Sequence, residues 1–289
     1  MTVSAQASIE SYNYLMPELP DLENVKAVLN RSILNIPITS AEVRIPIVIR
    51  FPSKDDFEAV MTGNSLTSVG RRGKYMLLNL KSGHIFAVNL MLTGHLQLCS
   101  KDEKQKHRTC WALTLEDGRQ LRNYDENLFG REYLVPDGNL SLIPNFTKMG
   151  PEALEISKQD LVARLRKKIG QIKNILVDEE VIAGIGNAYV DEILFEARIY
   201  PFRKRTELSQ GELEKIYDAI HLVIDRATEH ISKEMGDNIH IKIRDFLMVH
   251  LKGGQPCPKC GNTISQITPN SRITSYCLHC QPTTRLPVS

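Results

Sequence analysis

The chain has 289 residues, 42% hydrophobic and 24% charged, with a formal net charge of +2. These values exclude a disordered chain and leave room for two domains with separate cores plus a small appendage. The charge by itself makes no case for nucleic acid, no run of about eighteen apolar residues is present to span a membrane, and residues 1–15 lack the basic and apolar regions of a secretory signal. A cytoplasmic, nucleoid-associated protein is expected.

Residues 1–15, rich in Ser, Ala and Tyr, show no period and read as an N-terminal extension. Met16-Pro17-Glu18-Leu19-Pro20-Asp21 follows. With Met16 as first residue and removed, Pro17 would present a secondary amine. An α-amino group titrates near pH 8, against about 10.4 for lysine, so much more of it is free to attack carbon at neutral pH. Glu18 beside it is an acid/base candidate. As written, fifteen residues precede Met16, and the Pro17 nitrogen is a tertiary amide.

Leu19, Leu22, Val25, Val28 and Leu29 recur at spacings of three and four, which predicts an amphipathic helix. From 33 to 121 the signal is β, with strands expected at 45–51, 75–80, 85–90 and 111–115 and no helix between them, hence a sandwich or barrel. The Pro- and Gly-bearing stretch 136–150 reads as a linker. Beyond it the chain turns helical: Ser157 with Asp160 and Ser209 with Glu212 are capping boxes, and 172–177 and 189–197 read as further helices. Ala183-Gly184-Ile185-Gly186-Asn187 is a helix-joining turn; no strand precedes it and a third glycine is missing, so no nucleotide cofactor is expected. The domains are placed at 16–135, 151–250 and 251–283, with 284–289 as a tail.

Charge is uneven along this second half. Arg164, Arg166, Lys167, Lys168 and Lys173 occur without an acid between them, and so do Lys252, Lys259, Arg272 and Arg285. Either set is a solvated face or a nucleic-acid footprint. Cys257 and Cys260 form one knuckle and Cys277 and Cys280 another, sixteen residues apart, and such spacing places four thiolates around one Zn²⁺. Four protein ligands leave no open position, so this zinc would be structural. Cys99 and Cys110 read as buried thiols. Between the knuckles, Asn270-Ser271-Arg272-Ile273-Thr274 predicts a hairpin whose tip carries an arginine suited to a phosphate, or else a plain exposed turn.

Taken in order, Met16-Pro17-Glu18-Leu19-Pro20-Asp21, Arg71-Arg72-Gly73-Lys74-Tyr75, Leu92-Thr93-Gly94, Asp125 with Phe129-Gly130, Gly150-Pro151-Glu152-Ala153-Leu154, the turn through Asn187 to Tyr189, and the zinc segment resemble the formamidopyrimidine-DNA glycosylase/endonuclease VIII family over roughly 16–281. The resemblance implies a multi-domain α+β architecture: an N-terminal β-sandwich with a leading helix, a helix-two-turn-helix domain and a four-cysteine zinc finger. It further implies a bifunctional glycosylase and abasic-site lyase that flips a damaged nucleotide out of double-stranded DNA bound in an interdomain cleft. Pro17 would be the nucleophile and Glu18 the acid/base; Asp21 would orient the amine. Lys74, Asn187 and Arg272 would grip phosphates, with Lys173 also on the DNA side, and Leu92 and Phe129 would fill the gap left by the flipped base.

This sequence departs from the family at several places, Asp21 standing where glutamate is usual and Leu92 where a methionine fills the gap. Asn127 or Leu128 stands where an arginine reads the opposite base, the segment 234–243 is short where a base-capping loop is common, and His250 replaces a tyrosine. The departures tilt the expected preference toward oxidised pyrimidines or ring-opened lesions. Two alternatives remain: a damaged-DNA-binding protein without chemistry if residues 1–15 are retained, and a monofunctional glycosylase in which Glu18 activates water. For Leu92 and Phe129 the plain alternative is core packing. A monomer is expected.

Overall fold

The structure is a computed structural model and describes residues 16–269 and 272–283. The N-terminal extension, the tail, Arg285, and Asn270 and Ser271 of the zinc-segment turn lie outside the described residues. The chain divides into two units. The first runs to Thr147 and takes in Thr228–Ile243; the second is Lys148–Ala227 with the segment from Arg244 onward. The four-cysteine segment therefore groups with the helical unit, and the boundary falls inside the stretch read as a linker.

The first unit opens on helix α1 (Leu19–Ser32), whose periodic apolar residues Leu19, Leu22, Val25, Val28 and Leu29 are all buried. Two sheets follow. One has the order β1-β7-β8-β6, from β1 (Ile38–Val43), β6 (Gly94–Ser100), β7 (Thr109–Leu115) and β8 (Arg119–Asp125). The other has the order β2-β9-β5-β4-β3, from β2 (Ile49–Phe51), β3 (Leu66–Arg72), β4 (Tyr75–Leu80), β5 (Ile85–Asn89) and β9 (Arg131–Val135). Alternating burial along β4 puts Met76, Leu78 and Leu80 inward, as one face of a packed sheet requires. The sheets meet through aromatic rings: Phe86 on β5 packs edge-on against Trp111 on β7, with centroids 5.3 Å apart.

Two expectations fail in this unit. The strand expected over 45–51 is a 3₁₀ turn at Pro46–Val48 followed by the short β2, because Pro46 has no N–H to donate to a ladder. The region is also not helix-free. Ser53 caps a helix, α2 (Lys54–Met61), by accepting the Asp56 N–H, and the helix buries Phe57 and Met61 under β1. Two buried residues over two turns give too weak a period to see beside the stronger β pattern.

In the second unit the Ser209–Glu212 capping box forms in full, while at Ser157 only the serine's half of the box is made. Ser157 Oγ accepts from Asp160 N at the head of α3 (Lys158–Arg166). Ser209 N donates to Glu212 Oε2 at 2.8 Å while Ser209 Oγ accepts from Glu212 N, opening α6 (Gln210–Met235). Between them lie α4 (Ile172–Leu176) and α5 (Asn187–Glu196), close to the expected bounds. A two-stranded ribbon, β10 (Ser265–Ile267) with β11 (Thr274–Tyr276), completes the unit.

Candidate functional site

The sheet unit assembles three features. At the head of α1, Pro17, Glu18 and Asp21 are all buried, and Glu18 is the N-cap. Glu18 N donates to Asp21 Oδ2 at 2.9 Å, and the Glu18 carboxylate reciprocally accepts the Asp21 N–H. This reciprocal box fixes the conformation of residues 18–21 and therefore the direction from which the Pro17 nitrogen faces its surroundings. Asp21 thus holds the backbone next to Pro17.

The turn carrying Lys74 is tied to the same helix. Gly73 and Lys74 are the two central residues of the β3–β4 hairpin, and Gly73 takes φ 54°, the left-handed value that the first position of such a turn demands of a glycine. Arg71, its side chain almost fully buried, donates to Glu23 Oε1 on α1 at 2.7 Å and to Gly73 O at 2.8 Å. Burial raises the Glu23 carboxyl, but hydrogen bonds from Lys26 and Arg71 outweigh it and hold the pKa below the usual range. A charged pair thus fastens the Lys74 turn to α1.

Leu92 and Phe129 are not core residues: they are 41% and 45% exposed on two loops of the sheet unit. The residue before each, Met91 and Leu128, has φ 51° and 58°, a conformation costly for a side-chain-bearing residue and kept where the surroundings impose it. What imposes it is Asp125, fully buried between the loops. Its Oδ1 accepts from the Thr93 hydroxyl and from Asn127 N at 3.2 Å, and its Oδ2 accepts from Gly130 N at 2.7 Å. One carboxylate therefore sets both apolar tips. Gly94 admits the tight return of the first loop, since a Cβ there would collide with the Leu90 carbonyl. The segment after α6 adds a third support: Lys242 Nζ donates to Leu92 O at 3.1 Å, and His240 O lies 2.9 Å from His95 Nδ1. Burial first, then the Lys242 charge, depress His95 to about 3, so this ring carries no charge at neutral pH. Of the two positions where the family arginine would stand, Asn127 is exposed and Leu128 half-buried.

The helical unit gathers the rest. Asn187 sits at the start of α5 and donates from Nδ2 to Ile273 O at 2.8 Å. Arg272, exposed on the turn between β10 and β11, makes no side-chain hydrogen bond or ion pair among the described residues. Lys173 contradicts its expected place on the DNA side. It is 3% exposed, and its ammonium donates to Asp191 Oδ1, Ile273 O and Thr274 Oγ1 at 2.7, 2.8 and 2.8 Å, which uses its three protons. His250 is also buried, with Nδ1 2.7 Å from Asp191 Oδ2. Asp191 and Glu192 went unnoticed in the sequence, because adjacent acids on a helix read as a solvated edge; here both are buried.

The four cysteines fit a tetrahedral metal ion. Their sulfurs lie within 4.8 Å of one another, with Cys257–Cys280 at 3.8 Å and Cys260–Cys277 at 3.5 Å. Zn–S bonds of about 2.3 Å in a tetrahedron separate sulfurs by about 3.8 Å. Cys257 and Cys277 pack with Phe195, Val249 and Ile264, so the knuckles are joined to α5. Cys99 and Cys110 are buried free thiols, as expected, and burial pushes Cys110 up to about 12.

A β-sandwich carrying two supported apolar tips, followed by a helix-turn unit with an exposed arginine and a four-cysteine centre, defines a class of DNA-repair protein. Three family models match successive parts of the chain: the formamidopyrimidine-DNA glycosylase N-terminal domain over 16–132, the formamidopyrimidine-DNA glycosylase H2TH domain over 149–238, and a zinc finger found in FPG and IleRS over 254–283. The chain belongs to the formamidopyrimidine-DNA glycosylase family. It is 36% identical over 273 residues to the formamidopyrimidine-DNA glycosylase of Pelotomaculum thermopropionicum, covering 92% of this chain and 99% of that one, and 35% identical to that of Desulforamulus reducens at similar coverage. Among solved structures it is similar to Lactococcus lactis Fpg bound to DNA containing N7-benzyl-Fapy-dG, with TM-score 0.84, 26% identity, and coverage of 92% of this chain and 100% of that one. It is likewise similar to the same enzyme with Fapy-dG DNA, with TM-score 0.83 and 27% identity.

Proposed function

We propose that the chain is a base-excision DNA glycosylase with abasic-site lyase activity, acting on ring-opened and oxidised bases in double-stranded DNA. The observation that carries the reading is the head of α1, where Pro17 is buried beside Glu18, itself held to Asp21 by a reciprocal capping box. With Pro17 as first residue, its secondary amine attacks C1′ of the flipped nucleotide, the glycosidic C–N bond breaks, and the base departs. Glu18 protonates the ring oxygen as the sugar opens, giving a Schiff base between the proline nitrogen and C1′. Loss of a C2′ proton expels the 3′ phosphate, and a second elimination expels the 5′ one. Leu92 and Phe129 fill the vacated stack, Lys74, Asn187 and Arg272 hold backbone phosphates, and one structural zinc on Cys257, Cys260, Cys277 and Cys280 keeps the arginine turn in shape. With no guanidinium at Asn127 or Leu128, recognition of the opposite base is looser than in arginine-bearing relatives.

The chemistry requires a free Pro17 nitrogen. Protein beginning at Pro17, incubated with abasic-site duplex and reduced with borohydride, gives a covalent complex; the chain beginning at Met1 gives none. Absence of the complex from the first form sinks the proline mechanism and leaves damaged-DNA binding. Base release without trapping points instead to Glu18 activating water.

A further inference from the structure

Arg272 is exposed, yet the chain immediately after it is held more tightly than a surface turn requires. Ile273 O accepts two hydrogen bonds, from Lys173 Nζ and Asn187 Nδ2, each at 2.8 Å. Thr274 Oγ1 accepts a third from Lys173 Nζ at 2.8 Å, and Ser275 N donates to Asp191 Oδ2 at 3.0 Å. Thr274 and Ser275 are buried. Apart from the Asn187 bond, these run to Asp191, directly or through Lys173; Asp191 is fully buried on α5. Its Oδ1 takes Lys173, and its Oδ2 takes Ser275 N and faces His250 Nδ1 at 2.7 Å. Its neighbour Glu192 accepts the backbone N–H groups of Met248, Val249 and His250 at 2.8 to 2.9 Å, fixing the segment that carries that histidine.

We infer that Asp191 is a positioning residue for DNA binding: through Lys173, Ser275 and His250 it locks residues 273–275 to α5 and so sets where the Arg272 guanidinium meets the phosphate backbone. The inference rests on the reading of Arg272 as a phosphate contact. A buried ammonium persists only beside an anion, and Asp191 is the carboxylate in contact with Lys173. If that charge is removed, Lys173 must lose its proton or swing toward solvent. Either change loosens its hold on Ile273 O and Thr274 Oγ1 and leaves Asn187 as the remaining side-chain donor to the Ile273 carbonyl. The His250 ring buttresses the far side of the same carboxylate, so Oδ2 cannot rotate away from Ser275 N.

The test is a double-mutant cycle in the zinc-loaded full chain, read as the affinity for a duplex carrying a stable abasic-site analogue and its dependence on salt. R272A alone should weaken binding and lower the salt slope by about 0.9. D191N should weaken binding roughly tenfold when Arg272 is present, within the range for residues of one network, and lower the slope by a similar amount. In the R272A background, D191N should change affinity less than about twofold, because the contact it positions is already gone. Melting curves and zinc content separate positioning from unfolding. Should D191N fail to fold, T274V removes one bond of the lock and leaves the ion pair intact; it should weaken binding roughly two- to threefold, again only with Arg272 present. An equal loss with and without Arg272, or no loss, overturns the positioning role while leaving the Arg272 contact in place. An R272A protein that binds as tightly as the parent overturns the phosphate reading itself and the inference with it.

Discussion

Replacing Glu132 by glutamine isolates an unusual carboxyl group in the sandwich core. Glu132 lies on β9, between β2 and β5, with no exposed surface. It accepts the indole N–H of Trp111 from the facing sheet, and its other oxygen has no partner. Burial raises its pKa, the Trp111 bond works against that, and the charge of Asp125 adds to it, leaving the carboxyl pushed up to about 8. A carboxyl that titrates near 8 in the fold and near 4.5 in the unfolded chain costs on the order of 5 kcal/mol to ionise in place. Because the folded pKa is the higher one, the stability linked to this proton is complete below about pH 4.5 and is lost as pH rises toward 8. Between pH 6 and 8 the loss is about 2 kcal/mol, or a fall in urea midpoint on the order of 1 M. The assay has its own reporter, since Trp111 is the single tryptophan of the chain. Glutamine still accepts the indole N–H and cannot ionise, so the difference in midpoint between parent and E132Q should widen in favour of the variant from pH 6 to 8 and then level off. Midpoints that move in parallel over that range would refute a neutral Glu132.

Other tests follow from the loops and the metal centre. Leu92→Ala and Phe129→Ala should leave stability within about 0.5 kcal/mol of the parent, since both side chains are exposed, while excision of a lesion from duplex DNA falls; comparable loss of stability would return them to the core. Asp125→Asn puts an amide N–H against the N–H of Gly130 or the hydroxyl of Thr93, and should cost about 1–3 kcal/mol by urea unfolding while impairing excision as strongly as loss of both tips. Removing zinc by chelation, or Cys277→Ser, should loosen the Phe195–Val249–Ile264 cluster and abolish tight DNA binding while leaving the Trp111 unfolding transition of the sheet unit unchanged. Arg272→Ala should weaken binding to every lesion alike without changing which is excised, because phosphate contacts position and do not read the base.

Much of the site was legible because its signals are local. A four-cysteine centre is written in two short knuckles, a capped helix in a serine and an acid three residues on, and the family resemblance in motifs each spanning a few positions. Those features depend on neighbours in the chain, so spacing alone carries them. The short helix α2 was hidden because its sequence signal is two buried residues, Phe57 and Met61, inside a β-rich stretch. Lys173 was misjudged for a different reason: a lysine in a basic run looks solvent-facing, and only the carboxylate of Asp191, eighteen positions away, draws it inward.

By itself the sequence determined most of the classes of element, the four-cysteine cluster and the motif around Pro17, since propensity, periodicity and spacing act over a few residues. Only the tertiary structure decided which polar groups are withdrawn from water. Asp125, Glu132 and Asp191 are ordinary acids in the chain; each becomes an organising centre because folding removes water and leaves distant donors to satisfy it. Asp125 holds the two apolar tips and Asp191 the arginine turn, while Glu132 sits in the sandwich core as a neutral acid bonded to Trp111.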